Sequence, residues 1–185
     1  SLLNRERRLL DAVSDQYLID NGFDFLIIDC PPSLGLLTLN SMTAANEVLI
    51  PIQCEFYALE GVTQLMNNVQ MIRQHLNPEL HISAVLLTMF DGRTKLSEEV
   101  ANEVRNYFGE VVLRNLIPRS VKVSEAPGYS QTVISYDPGS RGAVAYLDAA
   151  KELATRGDYS AVPGGSAIGQ KPASSPTPSN STETN

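Results

Sequence analysis

FDFLIIDCPPSLG, residues 23–35, is the stretch whose reading decides the fold. Residues 25–28 form a short apolar run bounded by turn formers, and such a run is expected as a strand buried on both faces. Pro31 and Pro32 stop it, because proline has no backbone N–H and a fixed φ. The run therefore delivers Asp29 to the carboxyl end of a buried strand, on a stiff loop. In open α/β sheets that edge is where ligands bind. A carboxylate placed there suits Mg²⁺, held directly or through a water, beside a nucleotide phosphate. Aspartate in the same place also serves as a helix cap, and both roles stay open.

Outward from this stretch, helical and extended patterns alternate. Residues 2–18 read as a helix, with Leu2, Leu3, Leu9, Leu10, Val13 and Tyr17 able to share a face, closed by Asp20-Asn21-Gly22. Pro32 or Ser33 opens a helix over 34–45, through Leu36, Leu37, Leu39 and Met42. Residues 48–52 are a second short buried strand, ending on Gln53-Cys54-Glu55 at the same edge. In 59–76, Val62, Leu65, Val69, Ile72 and Leu76 recur at three- and four-residue steps, which makes one helical stripe; Asn77-Pro78 ends it. Residues 82–87 are a third apolar strand. Ser97 begins a capped helix that runs to Phe108 and stops at Gly109. Residues 111–117 are a fourth strand, ended by Pro118. Residues 120–138 read as loop-rich, and 140–156 as a last amphipathic helix through Ala143, Leu147, Ala150 and Ala154.

Such alternation predicts an α/β fold, a mostly parallel sheet with helices on both faces. The folded domain is expected over 1–156. Residues 157–185 are Ser, Pro, Thr, Gly and Asn with almost no large apolar side chain, so they are expected as a disordered tail.

The chain has 185 residues, enough for a real core, and a net charge of −7. The charge is uneven: residues 11–88 hold nine acids against Arg73 alone, whereas residues 89–156 hold nine of each sign. The second half can therefore present a local basic patch. Cys30, Cys54, His75 and His81 have no metal-ligand spacing, and no disulfide framework is indicated. No apolar run approaches the ~20 residues a membrane span needs, and no signal peptide is visible. A reducing, cytoplasmic setting is expected. The chain starts at Ser1 inside a charged helical pattern, so the amino end of a longer protein is expected to be missing.

Three further segments join LIIDCPP in order: NSMTAANEVLIPIQCEFYALEG, LLTMFDGRTKLS and IPRSVKVSEAPGYSQTVISYDPGSRG. Together they resemble the ParA/Soj family of chromosome-partitioning ATPases, the deviant Walker-A branch of P-loop proteins. The resemblance covers residues 1–156. It implies that Asp29, Cys30, Pro31 and Pro32 match the DxPP segment, where the aspartate supports Mg²⁺ and the loop senses the γ-phosphate. It implies that Pro118, Arg119 and Ser120 match the segment bordering the adenine, with Ser120 standing where the family usually has Asn. Arg93 and Lys122 match positions where the family places basic residues that bind DNA without sequence preference. Gln53 and Glu55 fall on a segment like the family's dimer-facing, nucleotide-proximal loop.

By themselves these residues have plainer readings. Arg93 and Lys122 alone are solvated surface charges. The two cysteines are small packing residues. Tyr57 and Phe90 are suited to stacking on a base or to ordinary packing. Arg141, between Gly139 and Gly142, either meets phosphate or caps a turn.

A P-loop ATPase wraps phosphates in a glycine-rich loop and neutralises them with lysine. No glycine in this chain is followed by lysine. The chain is therefore expected to be the carboxy-terminal part of a P-loop domain, incomplete at its amino end and without ATPase activity of its own. The resemblance implies a parent that binds ATP and Mg²⁺, forms a homodimer with ATP, and coats nucleoid DNA without sequence preference. A ParB-type partner would stimulate its hydrolysis, and no membrane is involved. Two other classes remain: a MinD-like spatial regulator, for which residues 157–185 show no basic amphipathic helix, and a non-enzymatic adaptor for DNA or a partner protein.

Overall fold

The computed structural model describes residues 4–31, 33, 35–58 and 60–156. Leu2, Leu3, Pro32 and the whole 157–185 tail lie outside the described residues. In chain order the elements are α1 (Arg8–Ala12), α2 (Asp15–Asp20), α3 (Leu36–Ala44), β1 (Glu47–Gln53) and α4 (Glu60–His75). There follow β2 (His81–Thr88), α5 (Lys95–Phe108), α6 (Val121–Glu125), α7 (Val133–Tyr136) and α8 (Arg141–Arg156).

β1 and β2 pair in parallel, Glu47 opposite His81 and Gln53 opposite Thr88, with one irregularity between Val48 and Leu49. Parallel strands need a crossover, and α4 supplies it. One face of the pair, Ile50, Ile52, Val85 and Leu87, packs on Val62 of α4 and on Val100, Ala101 and Val104 of α5. On the other face, Ala84 and Leu86 of β2 pack on Leu113, Ile117 and Ala149 of α8. β2 is thus covered on both sides, as its unbroken apolar run requires. β1 alternates, with Ile50 and Ile52 buried and Leu49, Pro51 and Gln53 exposed. The architecture is the expected α/β one, helices around a parallel sheet.

Met42 of α3 joins Val69, Ile72 and Leu80 in a further cluster. Asn77, just past α4, donates through Nδ2 to the carbonyls of Met42 (3.0 Å) and Ala45 (2.7 Å). The carboxyl ends of α3 and α4 therefore meet where β1 and β2 begin.

Several expectations are corrected. The helix read over 2–18 is two pieces among the described residues. Val13 leaves helical geometry (φ −115°, ψ 86°), and Ser14 starts α2 by accepting from the Tyr17 N–H at 3.2 Å. A serine side chain that captures the backbone ends one helix and starts the next.

Residues 25–28 are not a buried strand. Phe25, Leu26 and Ile27 are 60%, 48% and 91% exposed. A strand is a property of a pair, and among the described residues β1 and β2 are the only strands of the sheet. Among the described residues no ladder forms beside residues 25–28, so the run is not covered as a sheet strand would be.

α3 buries Thr38, Ser41, Met42 and Thr43, whereas Leu37 is 73% exposed. The hydroxyls tolerate burial because each bonds a carbonyl: Thr38 to Ser33 (2.7 Å), Ser41 to Leu37 (2.9 Å) and Thr43 to Leu39 (2.6 Å). Thr94, not Ser97, caps α5, its Oγ1 accepting from the Ser97 N–H at 3.3 Å. The expected strand over 111–117 is only two isolated parallel bridges, Val85 to Val112 and Phe90 to Pro118. Between them the N–H groups of Arg114 and Asn115 turn to the Glu152 carboxylate, at 2.8 and 2.9 Å. Leu113 and Ile117 still donate to the Val85 and Leu87 carbonyls of β2 at 2.8 Å, but the Asn115 N–H between them is spent on α8, so no continuous ladder forms. The loop-rich stretch over 120–138 contains three short turns of helix, α6, a 3₁₀ turn (Ala126–Tyr129) and α7.

Candidate functional site

The carboxyl ends of β1 and β2 open into loops that carry most of the residues singled out in the sequence. Pairing outlasts the strands, as the Cys54 N–H donates to the Thr88 carbonyl at 2.9 Å. Cys54 is 2% exposed, and Ser97 Oγ donates to its carbonyl at 3.1 Å. Burial raises the Cys54 thiol above its ordinary range, against a smaller pull from Arg105. It is a packing residue, and its carbonyl fixes the start of the β1 loop. Gln53 and Glu55 are exposed on either side of it. Phe56 and Tyr57 follow, both more than 70% exposed and packed edge to face with centroids 5.1 Å apart.

The β2 loop begins at Met89, which takes the left-handed conformation at φ 54°. That turn sends the Phe90 N–H to the Ile117 carbonyl (3.0 Å) and lets Phe90 O accept from the Arg119 N–H (2.9 Å). Pro118, Arg119 and half-buried Ser120 are thereby held against the β2 loop. The Arg119 guanidinium in turn pairs with the Glu55 carboxylate. Three loops, after β1, after β2 and before α6, are so tied into one edge.

Arg93 lies on the β2 loop and Lys122 in α6, just after the 118–120 segment. Arg93 grips Asp91 through Nε (2.9 Å) and Nη2 (2.8 Å), and its own N–H also donates to Asp91 at 3.1 Å. The side-chain hydrogen bond from Arg93, then the backbone one, hold the Asp91 carboxyl down at about 2. Lys122 Nζ donates to Glu125 at 3.0 Å and lies 5.4 Å from the centre of the Tyr136 ring. The hydrogen bond and charge of Glu125 lift the Lys122 ammonium above its ordinary range. Tyr136 also donates to Glu125 at 3.3 Å and stacks on Tyr129, centroids 5.1 Å apart.

Behind Arg93, Pro118 and Arg119 lies an open cleft of about 960 Å³, whose far wall is Arg141, Val144, Ala145 and Asp148 of α8. Gly142 lets α8 come this close to α6: a Cβ there would sit 2.5 Å from Cγ2 of Val123 and 3.4 Å from Oγ of Ser120.

The structure thus brings together Gln53, Glu55, Arg93, Pro118, Arg119, Ser120 and Lys122. It does not join Asp29 to them: Asp29 and Pro31 are exposed ahead of α3, and among the described residues no hydrogen bond or ion pair ties Asp29 to the other loops. Pro32 lies outside the described residues. Among the described residues no three His, Cys, Asp or Glu side chains cluster as a metal site. A lone exposed carboxylate fits Mg²⁺ that keeps its waters and takes its other ligands from phosphate. No helix among the described residues is long and apolar enough to cross a membrane. Asp91, Glu125, Tyr136 and Asp148 were not foreseen. The two-residue spacing of Asp91 and Arg93 and the three-residue spacing of Lys122 and Glu125 are the signals that could have found the first two.

A family model described as AAA domain matches residues 2–82. The sporulation initiation inhibitor protein Soj of Bacillus subtilis is 53% identical over 153 residues, covering 83% of this chain and 58% of that protein. The chromosome partitioning protein ParA of Myxococcus xanthus is 48% identical over 153 residues, covering 83% and 53%. Among solved structures, cobyrinic acid a,c-diamide synthase from Mycobacterium smegmatis with bound ATP analog and magnesium matches at TM-score 0.64 and 38% identity, covering 79% of this chain and 52% of that one. The Pyrococcus furiosus cell division ATPase MinD matches at TM-score 0.62 and 25% identity, covering 81% and 58%. The chain spans between half and three fifths of the length of these relatives. With such identity across the described fold, the chain belongs to the ParA/Soj family of chromosome-partitioning ATPases.

Proposed function

We propose that this chain supplies the switch and base-binding side of an ATP site in a partitioning ATPase. In this reading Asp29 and the Pro31-Pro32 loop face Mg²⁺ and the γ-phosphate. Pro118, Arg119 and Ser120 border the adenine. Gln53 and Glu55 lie near the nucleotide and the second subunit of an ATP-dependent homodimer. Arg93 and Lys122 bind DNA phosphate, a contact that is salt-sensitive and blind to sequence. The homodimer doubles those contacts, associates with nucleoid DNA, and is released when a ParB-type partner stimulates hydrolysis. Residues 1–156 form the working domain and 157–185 a tail outside it.

The observation that carries the reading is the joining of Glu55 to Arg119, and of Phe90 to Pro118, at the carboxyl edge of a parallel pair. That is the edge where open α/β sheets take ligands. Mg²⁺ would supply charge neutralisation at the phosphates; the chain's own part is to orient the base and to hold a carboxylate near the metal. Lacking a Gly-Lys pair, the chain alone is expected to show no ATP turnover.

The test is titration of the chain with a fluorescent ATP analogue in the presence and absence of Mg²⁺. Weak Mg²⁺-dependent binding, lost in Asp29→Ala and reduced in Arg119→Ala, supports the reading. Absence of any nucleotide binding, with DNA binding retained, would replace it with the adaptor reading.

A further inference from the structure

We infer that Asp91 and Glu125 are built-in competitors for DNA phosphate, each holding one of the two DNA-binding cations. This rests on the DNA-binding reading of Arg93 and Lys122 above. Each of those cations is paired with a carboxylate close by in sequence, Arg93 with Asp91 on the β2 loop and Lys122 with Glu125 on α6. Arg93 makes two side-chain hydrogen bonds to Asp91, and Lys122 makes one to Glu125. The pairs do little for folding. Arg93 is 87% exposed and Lys122 47%, and exposed pairs contribute little to stability.

Their effect falls on binding. A guanidinium already forked onto a carboxylate presents fewer free donors to a phosphate oxygen, and the carboxylate itself repels the duplex. Phosphate must displace or share the pair, so each contact is weaker than a free cation would make. At the same time the carboxylates hold both cations in place: Asp91 takes the Arg93 backbone N–H as well as its guanidinium, and Glu125 takes the Lys122 ammonium beside the ring of Tyr136. The same carboxylates therefore orient the cations and limit their grip. A protein that must leave DNA readily has a use for such contacts.

The test is fluorescence anisotropy with a short labelled duplex of mixed sequence across a salt series. Asp91→Asn keeps an oxygen for the Arg93 N–H, and Glu125→Gln keeps one for Tyr136. Each is expected to tighten binding about two- to fivefold at low salt and to steepen the salt dependence. Glu103→Gln, at an exposed site on α5, makes the same charge change and serves as the control. The gain must vanish when Arg93→Ala is combined with Asp91→Asn, and when Lys122→Ala is combined with Glu125→Gln.

Tightening no greater than that of Glu103→Gln, or a gain that survives loss of the cation, overturns the inference and leaves the DNA reading intact. If the unaltered chain shows no salt-sensitive DNA binding, the DNA reading itself falls. Circular dichroism checks the fold, and if Asp91→Asn unfolds the loop, Glu125→Gln on α6 decides alone.

Discussion

The Glu152 carboxylate accepts three hydrogen bonds around Asn115: from its backbone N–H at 2.9 Å, from its side-chain Nδ2 at 2.9 Å, and from the N–H of the preceding Arg114 at 2.8 Å. Arg156, one turn on in α8, adds a fourth at 2.7 Å and gives three further hydrogen bonds to the carbonyls of Glu110, Val111 and Val112. One carboxylate thus fastens α8 to the segment that runs beside β2. Burial alone would raise Glu152; the Arg114 and Asn115 N–H groups, then Arg156 and the Asn115 side chain, overcome it and hold the carboxyl at about 2.

This sets a pH window. In the unfolded chain Glu152 returns to its ordinary value of 4.5, so its stabilisation is complete above that pH. It is lost as pH falls toward about 2, where the folded form also takes up the proton. Glu152→Gln keeps the shape but only one strong acceptor. It is expected to cost on the order of 2 kcal/mol at neutral pH and to flatten the loss of stability between about pH 4.5 and 2. Urea midpoints measured across that range check it. An unchanged acid limb in the variant means that other carboxylates govern acid unfolding.

The contact of α6 with α8 makes a sharper steric prediction. A methyl at Gly142 would lie 2.5 Å from Cγ2 of Val123, and a β-branched side chain has no easy rotamer to yield to. Gly142→Ala gains about 1 kcal/mol of helix propensity, but overpacking costs about 1–3 kcal/mol, so the clash is expected to win. Gly61, in the first turn of α4, is exposed with nothing within 4 Å of its would-be Cβ. Gly61→Ala should therefore raise the melting temperature while Gly142→Ala lowers it by a few degrees. Scanning calorimetry of both decides, and equal signs would mean that α6 shifts freely away from α8.

How much of this was legible in the sequence depends on whether the cause is local. Val62, Leu65, Val69 and Ile72 announce α4 because a stripe needs only its own spacing. The runs that became β1 and β2 announce themselves because both are short, mostly apolar stretches bounded by polar residues. Residues 25–28 have the same look, yet what makes them a strand or not is a neighbour. The segment after Gly109 looks like a strand in sequence because the acceptor that takes the Arg114 and Asn115 N–H groups, Glu152, lies 38 and 37 residues away. In the site, the family resemblance pointed to Glu55 and Arg119 separately. Their meeting spans 64 residues and leaves no trace in spacing. Asp91 and Glu125 carry no distinguishing signal beyond their spacing from Arg93 and Lys122, and a carboxylate within a few residues of a cation is common on any solvated surface.

The pairing of Arg119 with Glu55 separates a structural role from a binding role. Both side chains are about half exposed, so the pair is worth no more than about 1 kcal/mol to folding. Its position differs from that of an ordinary surface pair, because it spans the β1 loop and the 118–120 segment proposed to border adenine. Glu55→Gln is therefore expected to shift the urea midpoint by less than about 1 kcal/mol while weakening nucleotide-analogue binding several-fold. Arg119→Ala should do the same, and the double variant should lose little beyond either single one, since each single change already frees the loops. Additive losses in nucleotide binding would show that Arg119 and Glu55 act on the ligand independently. A stability loss well above 1 kcal/mol, with nucleotide binding unmoved, would make the pair a fastening of the fold alone.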